Sequence, residues 1–145
     1  MSTIRVVLAD DYRPIVGKVR GILGEEFEVI GTAENGNEAV DLVLTLDADV
    51  LITDISMPVV NGFQAAERLQ MANCRARIVF LTLHEEQAFV SAAFAAGVSA
   101  YVLKSRLWTD VIPAIHEALL GNIFVSQPLK NLASLDSFSN KALVS

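Results

Sequence analysis

The chain has one cysteine, Cys74, among its 145 residues, so no disulfide can form within it, in keeping with a reducing compartment. Cys74 lies in a polar stretch and is read as having no role. No apolar run approaches the roughly 18 to 20 residues of a membrane-spanning helix. The start, Met1-Ser2-Thr3-Ile4-Arg5, lacks the charged-then-apolar layout of a secretory signal, so a cytoplasmic protein with no membrane partner is expected. Eleven Lys and Arg face seventeen Asp and Glu, a net charge of -6, and the basic residues nowhere cluster. That argues against DNA binding by these residues, since nucleic-acid affinity rests on clustered Lys and Arg. The glycines at 36, 62, 97 and 121 read as turns and caps, and none forms a loop able to cradle a phosphate.

What is present is ordinary material for one globular domain, with 52% hydrophobic residues. Short apolar runs alternate with segments of helical period, the pattern of βα units around a parallel sheet. Five strands are expected, at Ile4 to Ala9, Glu28 to Ala33, Asp49 to Thr53, Arg77 to Thr82 and Ala100 to Leu103. The first and third are the most uniformly apolar and should be central. Pro14 opens the first helix where no backbone donor is needed. Val16, Val19, Ile22 and Leu23 form its buried face, and Gly24 stops it. The second helix follows Asn35-Gly36-Asn37 and should bury Ala39, Val40, Val43 and Leu44, with Leu46 a further candidate; the third follows Asn61-Gly62. The fourth, about Glu85 to Ala96, is rich in alanine and ends at Gly97. The fifth is expected from about Thr109 to Leu120, its start delayed because Pro113 deeper inside would break it. The domain is read as residues 1–124, with 125–145, polar and without a period, as a linker or C-terminal tail.

Asp54 stands out, because a buried parallel strand, Val50-Leu51-Ile52, delivers a carboxylate to its own C-terminal edge. In open α/β sheets that edge borders the ligand-binding crevice, and Asp10-Asp11 end another such strand. Three converging carboxylates repel unless a cation lies among them, and all-oxygen ligands suit Mg²⁺ best. Thr82 and Lys104 end two further strands. Together these groups are what a phosphoryl group on Asp54 needs: a carboxylate nucleophile, a metal and an ammonium to neutralise oxygens, and a hydroxyl donor. Simpler readings exist for each alone. Asp10 or Asp11 could cap the helix before Pro14, Lys104 could be a solvated charge, and Thr82 a good strand former.

The set Ala9-Asp10-Asp11, Thr53-Asp54-Ile55-Ser56-Met57-Pro58, Asn61-Gly62, Leu81-Thr82 and Leu103-Lys104 resembles the receiver domain of two-component response regulators over roughly the first 125 residues. The resemblance implies a doubly wound α/β fold, a five-stranded parallel sheet in order 2-1-3-4-5 with helices on both faces. It implies Asp54 as phosphoacceptor, Mg²⁺ held by Asp10, Asp11, Asp54 and the backbone carbonyl of Ser56, and Thr82 and Lys104 contacting the phosphoryl group. The donor it implies is a sensor histidine kinase or a phosphotransfer protein. It implies a switch through Thr82 and Tyr101, with helix 4, strand 5 and helix 5 as the output face and a possible homodimer surface.

Departures from the family pattern are Leu83, larger than the small residue usual beside the threonine, and Ser105, where many receivers have proline after the lysine. His84 stands where the side chain tends to tune dephosphorylation, and is equally readable as a solvated loop residue. Trp108 and His116 read as packing and surface residues of the fifth helix. The stretch Gly121-Asn122-Ile123-Phe124-Val125-Ser126 is similar to the receiver-to-DNA-binding connection of LuxR-like transcriptional regulators. No helix-turn-helix pattern fits the tail. Two rivals remain. A non-phosphorylated pseudo-receiver is opposed by the intact acid set. An aspartyl-phosphate phosphatase is opposed by Ser56, where such enzymes place a second acid.

Overall fold

The computed structural model describes residues 3–127 and Leu129. Strands β1 (Ile4–Ala9), β2 (Phe27–Ala33), β3 (Val50–Thr53), β4 (Arg77–Thr82), β5 (Ala100–Leu103) and β6 (Phe124–Val125) form one sheet in the order β2-β1-β3-β4-β5-β6. Every pairing is parallel. Helices α1 (Arg13–Leu23) and α5 (Leu107–Leu119) lie on one face, and α2 (Gly36–Leu46), α3 (Gly62–Met71) and α4 (Gln87–Ala95) on the other. Successive strand residues point to opposite faces. Val7, Leu51, Phe80 and Tyr101 therefore pack under α2, α3 and α4, while Val6, Leu8, Ile52, Val79 and Val102 pack under α1 and α5. Both faces are covered, so the strands read as continuous apolar runs rather than alternating ones.

Helix entries follow local side-chain chemistry. Asn35 caps α2 by accepting the Glu38 amide, and Asn61 with Gln64 makes a reciprocal capping box on α3. Neither Asp10 nor Asp11 caps α1: the N-cap is Tyr12, and Asp10 Oδ1 accepts its amide at 2.9 Å. Gly24 and Gly97 adopt the positive φ expected at the two helix ends.

The structure departs from several expectations. The sheet has six strands, because Phe124–Val125 returns to pair with β5. Ser126 and Leu129 are also buried, and residues 130–145 of the expected tail lie outside the described residues. α5 starts at Leu107 after a 3₁₀ turn over Lys104–Arg106, with Pro113 inside it. Proline there leaves the Thr109 carbonyl without its helical donor, but both residues are exposed and water can serve it. Leu44 is exposed, because the buried stripe of α2 runs through Gly36, Ala39, Val40 and Val43 and leaves it at the margin. α4 is shorter than expected at both ends, with Glu86 as N-cap.

Gly17 and Gly21 occupy the interior of α1, where an added Cβ meets nothing within 4 Å. Glycine there costs helix stability through backbone entropy alone. Gly17→Ala and Gly21→Ala are expected to stabilise the protein by about 0.5–1 kcal/mol each, read from urea denaturation midpoints.

Candidate functional site

Four strands bring their C-terminal ends to one crevice. Ala9 of β1 pairs with Thr53 of β3, and the next residues carry the acids. The Asp54 amide donates to the Ala9 carbonyl at 2.9 Å, and the Asp10 amide to that of Ala33 at 3.0 Å. Backbone bonds thus fix both carboxylates before any side chain does. Carboxylate oxygens of Asp10, Asp11 and Asp54 all lie within 4.8 Å of one another. Lys104, first residue after β5, reaches back between them, with Nζ 2.9 Å from Asp10 Oδ2 and 3.1 Å from Asp54 Oδ2. The contact to Asp54 is a hydrogen bond; that to Asp10 is an ion pair, and Asp10 Oδ2 is buried with no hydrogen-bond partner beyond this ammonium.

Burial raises the Asp54 carboxyl above its ordinary range; the Lys104 charge opposes this and the Asp10 charge reinforces it. Burial pulls Lys104 down, but its contacts with Asp10 and Asp54 outweigh that and leave it raised. A raised acid makes the fold favour the protonated form. Its contribution to stability is therefore present at low pH and lost as pH rises from the unfolded value toward the folded one. Asp54→Asn, a neutral isostere, is accordingly expected to raise the melting temperature at neutral pH in EDTA, measured by calorimetry.

On the next strand, Thr82 is fully buried and its Oγ1 accepts the His84 amide at 3.1 Å. Tyr101 is fully buried too, its hydroxyl donating to the His84 carbonyl at 2.9 Å. Burial, with Glu86 adding to it, pushes that phenol well above its ordinary range. Ser56 is exposed, its hydroxyl 3.0 Å from His84 Nε2. His84 is therefore a junction: its backbone joins Thr82 to Tyr101, its ring meets Ser56 and lies 4.4 Å from the Phe89 ring. Sequence spacing marked the residue but gave no sign of these partners. Leu83 is 74% exposed. Trp108 is exposed, and His116 pairs with Glu26 at 2.8 Å beside the Phe27 ring.

Val59 was not foreseen. It has φ 68 and is exposed, with the Val60 amide bonded to the Pro58 carbonyl at 2.7 Å, a positive-φ γ-turn. A β-branched residue is strained there, and no sequence signal of the usual glycine or asparagine kind announces it.

The donor set fits a hard divalent cation. It is all oxygen, it carries three carboxylates, and one buried oxygen lacks a hydrogen-bond partner. Asp10, Asp11 and Asp54 are the carboxylates grouped closely enough to hold such an ion.

The family model for the response regulator receiver domain matches residues 6–115. The chain is 35% identical over 128 residues to the uncharacterized transcriptional regulatory protein YvfU of Bacillus subtilis, covering 87% of this chain and 64% of that protein. It is 27% identical over 139 residues to the nitrate/nitrite response regulator protein NarL of Escherichia coli, covering 94% and 64%. The chain thus spans under two thirds of the length of these relatives. Among solved structures, a LuxR-family two-component response regulator from Aurantimonas matches with TM-score 0.83 at 30% identity, covering 90% of this chain and 94% of that one. The receiver domain of RcsB from Salmonella enterica, in the presence of phosphomimetic BeF3⁻, matches with TM-score 0.81 at 27% identity, covering 90% and 99%. No helix among the described residues is long and apolar enough to cross a membrane. Fold, acid cluster and relatives agree, and the chain belongs to the response regulator receiver domain family, with homologues among LuxR- and NarL-type transcriptional regulators.

Proposed function

We propose that the protein accepts a phosphoryl group on Asp54 from a phosphohistidine of a sensor kinase or phosphotransfer protein, and that acceptance alters a protein-contact surface. The observation that carries this is the Lys104 ammonium set between Asp10 and Asp54, beside Asp11. A carboxylate oxygen of Asp54 attacks phosphorus, the P–N bond breaks, and the departing imidazole nitrogen keeps the electron pair and takes a proton from solvent. Lys104 turns from the carboxylate pair toward the phosphoryl oxygens it neutralises, and the Thr82 hydroxyl, whose proton is free to donate, binds another. Asp10, Asp11, Asp54 and the Ser56 carbonyl would hold Mg²⁺, which would supply neutralisation of phosphoryl charge.

The consequence travels through Thr82 and Tyr101, both tied to His84. If Thr82 moves toward Asp54, the 82–84 bond and with it the 84–101 bond must readjust. The output surface is then α4, β5 and α5, now including β6 on the outer edge of β5, and a homodimer through it is part of this reading. The relatives support a regulator of transcription whose DNA-binding part lies outside these residues. Steady phosphatase turnover is disfavoured because Ser56 offers no acid or base beside the nucleophile.

Beryllium fluoride with Mg²⁺ tests the reading, as a phosphoryl mimic that binds a carboxylate. The amide resonances of Thr82, His84, Tyr101 and Lys104 are expected to shift in the unsubstituted protein and stay in place in Asp54→Asn. Equal shifts in both would overturn it. Repeated turnover of small phosphomonoesters would favour the phosphatase.

A further inference from the structure

Behind Lys104 sits a buried polar network that the proposed phosphoryl chemistry does not use. The amide of Leu103, the residue before Lys104, donates to Ser126 Oγ at 3.1 Å, and Ser126 Oγ donates to Asp110 Oδ2 at 2.6 Å. Ser126 is fully buried, and its own amide is bonded to the Tyr101 carbonyl at 3.0 Å. Asp110, also buried, accepts from Arg106 Nε at 3.0 Å and from Thr109 Oγ1 at 3.1 Å. Residues 103 and 106, on the two sides of Lys104, are thereby tied to one carboxylate. The tie on the 103 side comes from beyond α5.

The chemistry of Asp110 fits a fixed anchor. Burial raises its carboxyl, but the bonds from Ser126, Arg106 and Thr109 outweigh that and hold it below the ordinary range, so it is ionised at neutral pH. A buried carboxylate is costly to desolvate and holds its donors in narrow geometry, whereas a packed apolar residue would fill the same space without fixing the backbone. That backbone needs fixing. Ser105, in the 3₁₀ turn, lacks the ring by which a proline would lock φ after Lys104, and the four-carbon lysine stem must place its ammonium between two acids.

We propose that Asp110 and Ser126 are positioning residues for Lys104: the Leu103–Ser126–Asp110–Arg106 network sets the backbone from which the ammonium reaches Asp54. The proposal rests on the reading of Lys104 as the cation that binds the phosphoryl group. It also makes the chain after α5 part of the site, since Ser126 is brought in by β6.

Ser126→Ala in the full chain removes both the acceptor for Leu103 and the donor to Asp110. Trace labelling of lysines by acetic anhydride, without phosphodonor or metal, is expected to show Lys104 several-fold more reactive, with Lys18 unchanged. The rate of adduct formation from acetyl phosphate is expected to fall by ~10- to ~100-fold, as for a slightly misplaced catalytic group. The Mg²⁺ concentration for half-maximal rate should stay constant, because Asp10 and Asp11 are untouched. Ser126→Thr, which keeps the hydroxyl, is expected to restore both readouts. Should Ser126→Ala fail to fold, Asp110→Asn gives the same comparison with the side-chain shape preserved. Lys104 labelling unchanged in a folded variant would overturn the proposal, as would a rate loss shared equally by the Thr variant. If the unsubstituted protein takes no phosphoryl group, the functional reading fails, and Lys104 labelling still decides whether the network positions the lysine.

Discussion

Gly62→Ala is expected to cost on the order of 3 kcal/mol and to abolish adduct formation at Asp54, though residue 62 bears no reactive group. A Cβ there lies 2.5 Å from the Asp54 carbonyl oxygen and 2.9 Å from the Ile55 Cα, closer than atoms in contact can sit. Both obstacles are backbone, so no rotamer change relieves them. The Gly62 amide also donates to the Ile55 carbonyl at 2.8 Å, closing the loop that carries Ser56. Relief must come from moving the loop, and with it the Asp54 carbonyl that also accepts the Thr53 hydroxyl at 2.9 Å. Denaturation midpoint and adduct yield from acetyl phosphate are the two measurements. A midpoint unchanged from the unsubstituted protein would show that α3 does not approach β3 as closely as these distances require.

Lys104→Ala is expected to cost about 2 kcal/mol at neutral pH in EDTA, below the ~3–5 kcal/mol of a fully enclosed pair because the crevice opens to solvent. The substitution leaves Asp10 and Asp54 without their shared cation, their side chains only 5% and 10% exposed. Asp54 is raised even with Lys104 present; without it the carboxyl rises further. The cost therefore shrinks as pH falls and Asp54 takes a proton. Mg²⁺ is expected to recover part of the loss at neutral pH, since it binds the folded acid cluster and not the unfolded chain. Urea titrations at neutral and mildly acidic pH, with Mg²⁺ and with EDTA, give the comparison. A loss equal at both pH values and indifferent to Mg²⁺ would mean that Lys104 serves packing.

The site was legible because its chemistry hangs on strand ends. An acid, hydroxyl or ammonium directly after an apolar run is visible without knowing how strands pair, and the pairing of Ala9 with Thr53 then brings two of those ends together. Turn residues were legible for the same local reason: Asn35 and Asn61 became N-caps. What the sequence hid depends on contacts distant along the chain. Phe124–Val125 is too short to show a period and is a strand only because β5 offers a free edge. Ser126 looked like part of a polar tail, and nothing in the sequence marked Asp110, until the fold joined them. Pro113 misled because a proline inside a helix usually breaks it; here Thr109 and Pro113 are both exposed, so water can serve the carbonyl left without a donor. Val59 carries a conformation its residue type disfavours, so no reading of propensity reveals it.

The central claim is that Asp54 accepts a phosphoryl group only with its acidic neighbours in place. Intact mass after incubation with acetyl phosphate and Mg²⁺ tests this most directly, comparing the unsubstituted protein, Asp54→Asn and a sample in EDTA. The expected result is a gain of one phosphoryl group in the unsubstituted protein with Mg²⁺, lost on hydroxylamine treatment as an acyl phosphate is, and no gain in the other two samples. An equal gain in Asp54→Asn, or none in the unsubstituted protein, would contradict the account.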